Sequence, residues 1–166
     1  QTLANAQLAM NNKLTIVPVI NKIDLPGADV EATKAQVEHA LTIDASEALL
    51  ISAKSGLGVD EVLEAIVQRV PAPTGSPESP LRALIFDSWF DTYRGVVVLA
   101  RVMEGSLKVG MRIRLWSNDQ VYNVEELGVL TPKPVRVEEL AAGEVGFMVA
   151  NIKRVQDTRV GDTITD

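Results

Sequence analysis

Hydrophobic positions in this chain follow two different rhythms, one before residue 71 and one after residue 80. Leu3, Ala6, Gln7 and Met10 recur at three- and four-residue spacing, which predicts a short amphipathic helix over residues 1–12, closed by Asn11-Asn12. Leu14 to Ile20 is almost unbroken apolar sequence rich in β-branched residues, the texture of a strand covered on both faces in a parallel sheet. Pro18 lies inside that run and counts against a central strand, because it cannot donate to a ladder. Pro26-Gly27 turns the chain, and a helix is expected from about Asp29 to Leu41, with Val30, Val37, Ala40 and Leu41 facing inward. Residues 48–52 supply a second strand. After a loop bracketed by Gly56 and Gly58, Val59, Val62, Leu63, Ile66, Val67 and Val70 fall at helical spacing. Helices alternating with apolar strands in this order predict α/β architecture with a parallel sheet.

Pro71 to Pro80 ends that rhythm. Four prolines in ten residues exclude both helix and central strand, so residues 71–80 are expected to be an extended linker between a domain at 1–70 and another at 81–166. Beyond it come short β-rich runs: Ala83–Phe86, Val96–Val102, Met111–Trp116, Val121–Val129 and Val145–Val149. No helical pattern interrupts them, and an all-β antiparallel barrel or sandwich is predicted.

Charge and composition narrow the function classes. The net charge is −6, with ten acidic and five basic residues in 1–80 against twelve and eleven in 81–166. That balance excludes a general electrostatic grip on DNA, while leaving room for a local basic face on the second half. The chain has no cysteine, so it has neither disulfides nor thiolate chemistry. No apolar run is long enough to cross a membrane as a helix. Gln1 at the start, without an initiator Met or a signal pattern, is the beginning expected of a piece of a longer protein.

Two short motifs carry chemistry, and each begins where an apolar run ends. Asn21-Lys22-Ile23-Asp24 follows the first run, and Ser52-Ala53-Lys54 follows the second. Guanine presents two adjacent donors, N1–H and the 2-amino group, which one ionised carboxylate accepts together, a role that falls to Asp24. Adenine would leave that carboxylate unpaired. Lys22 can lay its aliphatic stem across a base, and Asn21 can tie its loop to a neighbouring one. The Ala53 N–H is placed to donate to the base O6, with Ser52 and Lys54 shaping the loop. Loops at the carboxyl ends of strands are where open α/β sheets bind ligands. Phosphate chemistry is not provided for. The sequence contains no Gly-x-x-x-x-Gly-Lys-Ser/Thr loop, and no Asp-x-x-Gly outside the base motif itself to hold a magnesium shell.

Other conspicuous residues have simpler expectations. His39 lies on a predicted helix beside Glu38 and is expected to be solvated, as are Glu138 and Glu139. Trp89, Phe90 and Tyr93 either pack the mouth of the barrel, the favoured expectation, or stack on RNA bases. Gly105 to Gly110 is expected to turn the chain between strands.

Together these stretches resemble the translational GTPases. Asn21–Asp24 and Ser52–Lys54 are similar to their last two guanine-specificity motifs, and Arg94-Gly95-Val96-Val97 with Gly105–Met111 resembles their second-domain barrel. Pro80–Ser88, Tyr93-Arg94-Gly95 and Glu126–Pro134 resemble in particular the elongation factor 4 (LepA) family, as Gln1–Asn5 resembles the helix after its second switch. The resemblance implies a parent that binds and hydrolyses GTP with magnesium, works on the ribosome in bacterial translation, is cytoplasmic and associates peripherally with the membrane. It assigns guanine-base contacts to Asn21, Lys22, Asp24, Ser52, Ala53 and Lys54, and no catalytic or metal-binding residue to these 166 positions. The chain by itself is then expected to be inactive, to hold no nucleotide tightly, and to self-associate through exposed strand edges. Two other readings compete with this one: a non-enzymatic β-barrel module binding RNA or protein, and a piece of another translational GTPase of the elongation factor G or initiation factor 2 type.

Overall fold

The computed structural model describes residues 2–166, so Gln1 of the expected first helix lies outside the described residues. The chain divides into two compact units, one ending at Pro71 and the other running Ala72–Asp166.

Among its described residues the first unit holds three helices and two very short strands. Helix α1 covers Thr2–Asn11, α2 covers Val30–Leu41 and α3 covers Val59–Arg69. Local chemistry sets the limits of α2. The Asp29 side chain accepts the Ala32 N–H at 2.9 Å as an N-cap, and Thr42 closes the helix in the left-handed region at φ 56°. Strands β1 (Val19–Ile20) and β2 (Leu49–Leu50) pair in parallel, Val19 opposite Leu49 and Ile20 opposite Leu50. The expected strand over Leu14–Ile20 is therefore cut to its last two residues. Pro18 accepts the Leu49 N–H at 3.0 Å through its carbonyl but has no N–H of its own to offer, so the ladder takes shape only after it.

This unit buries little. Among the described residues, Ala45, Ala48, Ser52 and Ala65 are buried in it, and neither α1 nor α2 has a buried residue. Ala40, expected to face inward, is exposed. Helix α3 presents Val59, Val62 and Ala65 inward, while Leu63, Ile66, Val67 and Val70 form a second apolar stripe left in solvent. The helical spacing is as expected, but only part of the apolar stripe is covered.

The second unit is an eight-stranded antiparallel sheet wrapped around one core. Its strands are β3 (Arg82–Asp91), β4 (Gly95–Glu104), β6 (Arg112–Leu115), β7 (Val121–Asn123), β8 (Glu126–Thr131), β9 (Lys133–Val137), β11 (Val145–Val149) and β12 (Thr163–Thr165). They lie in the order β7-β6-β12-β3-β4-β11-β8-β9, and a separate pair joins β5 (Ser106–Lys108) to β10 (Glu139–Ala141). Ile85, Val98, Ile113, Leu127, Met148 and Ile164, each from a different strand, belong to the same buried cluster. Strand alternation puts their neighbours on the outer surface. There, a smaller cluster of Val97, Phe147 and Val149 forms on β4 and β11. Gly128 makes room for it, since a Cβ at that position would stand 2.2 Å from the Phe147 ring.

The proline-rich stretch is fastened to this unit along its second half. Ser76 N–H donates to Glu104 Oε2 at 2.8 Å, and Gly105 N–H donates to the Ser76 carbonyl at 2.8 Å. Gly105, at φ +71°, has Ser79 O only 2.7 Å from where its Cβ would be, so glycine is required by both backbone and space.

Candidate functional site

Because β1 and β2 are parallel neighbours, the chain leaves both at the same end of the sheet. The two motifs occupy those exits and meet. Asn21 Oδ1 accepts the N–H of its own neighbour Lys22 at 2.7 Å and the N–H of Ala53, 32 residues away, at 3.0 Å. Ile23 N–H adds a bond to the Ile51 carbonyl at 3.3 Å. One side-chain oxygen thus holds the two loops in register. The Ala53 N–H, expected to meet a base O6, is taken by Asn21 in this conformation, so a base would have to share it.

The second loop is wound around Ser52, which is fully buried. Ser52 N–H donates to the Leu57 carbonyl at 2.9 Å, its carbonyl accepts the Gly56 N–H at 2.9 Å, and its hydroxyl accepts the Ser55 N–H at 3.3 Å. Gly58 completes the turn at φ +73°, where a Cβ would stand 2.4 Å from the Leu50 carbonyl. Ser52 therefore shapes the loop from beneath.

The side chains left free at this edge are charged. Asp24, Lys22 and Lys54 are all exposed, and among the described residues no hydrogen bond reaches the Asp24 carboxylate. An unengaged carboxylate can accept two adjacent donors of one ligand at once. Lys22 is held in the left-handed region at φ 67°, uncommon for a residue with a Cβ. A cavity of about 390 Å³ lies against Asn21, Lys22, Leu25, Asp29 and Thr33, on the flank of the first loop; neither Asp24 nor residues 52–54 line it. No group of three or more His, Cys, Asp or Glu converges as a metal site among the described residues. His39 is exposed on α2.

On the second unit, the aromatics at the β3–β4 hairpin do not pack a barrel mouth. Tyr93 is 97% exposed and Phe90 59%. The turn is organised instead by Asp91, whose Oδ1 accepts the N–H groups of Tyr93 at 2.8 Å and Arg94 at 3.0 Å. These two bonds hold the Asp91 carboxyl below its ordinary pKa. Next to it lies a polar cluster that sequence spacing does not reveal, because its members come from the β3–β4 turn and from separate strands. Glu126 Oε2 accepts from Arg136 at 3.0 Å, its Oε1 is 3.7 Å from Arg94, and the Arg94 guanidinium lies 5.7 Å above the Phe147 ring. A cavity of about 580 Å³ adjoins the cluster. Only the pairing of β8 with β9, which sets Gly128 opposite Arg136, could have revealed it beforehand.

Comparison with known proteins agrees with both halves. Residues 1–72 match the elongation factor Tu GTP binding domain, and residues 95–165 match elongation factor Tu domain 2. The chain is 58% identical to elongation factor 4 of Halalkalibacterium halodurans over 165 residues, covering 99% of this chain and 27% of that protein. It is 57% identical to elongation factor 4 of Solibacter usitatus, covering 100% of this chain and 28% of that protein. Bacillus subtilis elongation factor 4 is likewise 57% identical over 99% of this chain, which is 27% of its own length. The chain thus spans just over a quarter of the length of these curated relatives. Among solved structures, the apo translation elongation factor SelB of Methanococcus maripaludis superposes with a TM-score of 0.76 at 22% identity, over 100% of this chain and 36% of that one. A bacterial selenocysteine-specific elongation factor does so with a TM-score of 0.70 at 19% identity, over 96% of this chain and 28% of that one. At such identities these two structures speak for the fold.

Proposed function

Since the chain belongs to the elongation factor 4 family of translational GTPases, we propose that it is the guanine-reading edge and the second domain of a factor that binds and hydrolyses GTP on the ribosome during bacterial protein synthesis. The observation that carries the proposal is identity of 55–58% along essentially the whole chain to proteins named elongation factor 4. Asn21, Lys22, Asp24, Ser52, Ala53 and Lys54 form the base site. Asp24 pairs with N1–H and the 2-amino group, Lys22 and Lys54 flank the base, Asn21 locks the loops together, Ser52 supports the second loop, and Ala53 N–H is shared with O6.

The residues present fit the base of GTP and not the rest of it. No phosphate cradle occurs in the sequence, and no carboxylate group converges to hold magnesium among the described residues. Phosphates and magnesium then fall to parts of the longer relatives that this chain does not match. By itself the chain is inactive toward GTP and binds guanine nucleotides only with dissociation constants near or above about 1 mM, worth roughly −4 kcal/mol. The parent acts in the cytoplasm, with peripheral association at the cytoplasmic membrane face as a lesser trait.

Exchange of Asp24 for asparagine tests the base assignment in a full-length protein carrying this segment. An amide donor facing the base favours xanthine, so Asp24→Asn should lower GTP affinity by at least about 10²-fold and raise affinity for the xanthine nucleotide. Unchanged GTP affinity in that variant would remove Asp24 from the site.

A further inference from the structure

The outer face of the sheet formed by β6, β12 and β3 carries features that the nucleotide site does not use. Ile113 and Leu115 are buried, so Arg112, Arg114 and Trp116 point outward together. Ile164 is buried between Thr163 and Thr165, and Ala83 between Arg82 and Leu84, which places those neighbours on the same outer face. Register aligns them in rows. Arg114 lies opposite Thr165 and Thr165 opposite Arg82, while Thr163 lies opposite Leu84 and accepts the Trp116 N–H at 2.9 Å. Trp116 is 65% exposed, and the Arg114 guanidinium stands 5.4 Å over its ring. A cavity of about 310 Å³ opens along Arg112, Arg114 and Val121.

The arginines of this face are poorly satisfied by their own chain. Arg114 is 3.8 Å from Asp119 and Arg82 is 4.0 Å from Glu104, both beyond hydrogen-bond length. Elsewhere on the same unit, Arg136 and Arg154 bond carboxylates at 3.0 and 2.9 Å. Arg114 Nε is occluded and lacks a hydrogen-bond partner, as does Thr165 Oγ1 on the facing strand. Asp166 lines the cavity but is not an ion-pair partner of Arg112 or Arg114 among the described residues. An arginine fork with an unused Nε–H is matched in shape by one incoming carboxylate, which a small rotation of the side chain would let it grip with two bonds.

We propose that this face docks a polypeptide segment presenting a carboxylate among aliphatic side chains, with Arg114 gripping the carboxylate and Trp116 and Leu84 taking the apolar contacts. The combination of exposed tryptophan, arginine and aliphatic surface is that of a protein-binding hot spot. A nucleic acid is disfavoured by the absence of lysine from the outward positions of the three strands, by the acidic neighbours Glu104 and Asp119, and by the exposed aliphatic side chains Leu84 and Val121 on either side of the face. The proposal stands independently of the nucleotide reading.

Isotope-edited NMR on the whole chain gives the test, following the Arg114 Nε–H and Trp116 indole N–H signals. A short acetylated peptide alternating leucine and aspartate should shift both, and its leucine–asparagine counterpart should bind about tenfold more weakly or worse. Arg114→Met and Arg112→Met should each weaken the acidic peptide several-fold with the rest of the spectrum unchanged. Lys133→Met, which removes one charge from β9, should not. Equal binding of the asparagine peptide would overturn the carboxylate grip. Larger shifts with oligouridylate would make the face a nucleic-acid surface, and no shift with any probe would leave it without a docking role.

Discussion

Asn21 shows how much of a loop's geometry can depend on one acceptor. Its Oδ1 is shared by the Lys22 and Ala53 N–H groups, so the amide oxygen is the direct side-chain tie between the loops that follow β1 and β2. Removing it leaves two N–H groups that water can satisfy, because the site is exposed, and the cost should be modest, about 0.5–1.5 kcal/mol. The local effect should be larger than the global one. In Asn21→Ala the Ala53 amide should exchange with solvent at least about tenfold faster, while amides within β4 and β11 keep their protection. Unaltered exchange at Ala53 would mean that Ser52 and its turn hold the second loop unaided. Lys22 complements this picture, since a non-glycine residue at φ 67° stores roughly 1–2 kcal/mol of backbone strain that the tie to Asn21 helps to hold.

At the scale of elements, the β3–β4 hairpin has a testable dependence on acid. Asp91 has a folded pKa below its ordinary 3.8, first through the Tyr93 N–H and then through that of Arg94. A depressed carboxylate contributes stability above its unfolded pKa and loses it as pH falls through the lower folded value. The turn should therefore hold at pH 5 and loosen only below about pH 4, with Tyr93 and Arg94 amide shifts titrating at a midpoint under that of a free aspartate. A midpoint at or above about 3.9 would show that the two bonds do not persist in solution. The same hairpin marks the limit of what was legible in the sequence. Helices α1, α2 and α3 could be read because caps and three–four spacing are local signals, as with Asp29 before Val30. Strand β9 could not, since Lys133–Val137 contains a proline and alternates only over Val135-Arg136-Val137, and it is ordered by pairing to β8. Strands β5, β10 and β12, of three residues each, carry no periodic signal at all. The two loop motifs were visible because each follows an apolar run, whereas the burial of Ser52 and the capture of the Ala53 N–H depend on contacts between separate segments.

At the scale of the whole chain, the two units differ sharply in how much core they own. The second buries a continuous cluster from six strands of its large sheet, and among the described residues the first buries three alanines and a serine while leaving Leu63, Ile66 and Val67 of α3 and its cap Val70 in solvent. A small unit with so little buried apolar surface is marginal by the scaling of core with size. The probes for the two are naturally separate. All three α-helices lie before Pro71, and both tryptophans, Trp89 and Trp116, lie in the β unit. Helical circular dichroism should therefore disappear at lower urea than the change in tryptophan fluorescence, instead of in one shared transition. The exposed α3 stripe adds a concentration dependence. If copies of the chain cover it for one another, the helical transition alone should move to higher urea as protein concentration rises. Coincident transitions at every concentration would show that the first unit draws its stability from the second, and that its exposed stripe is no measure of its independence.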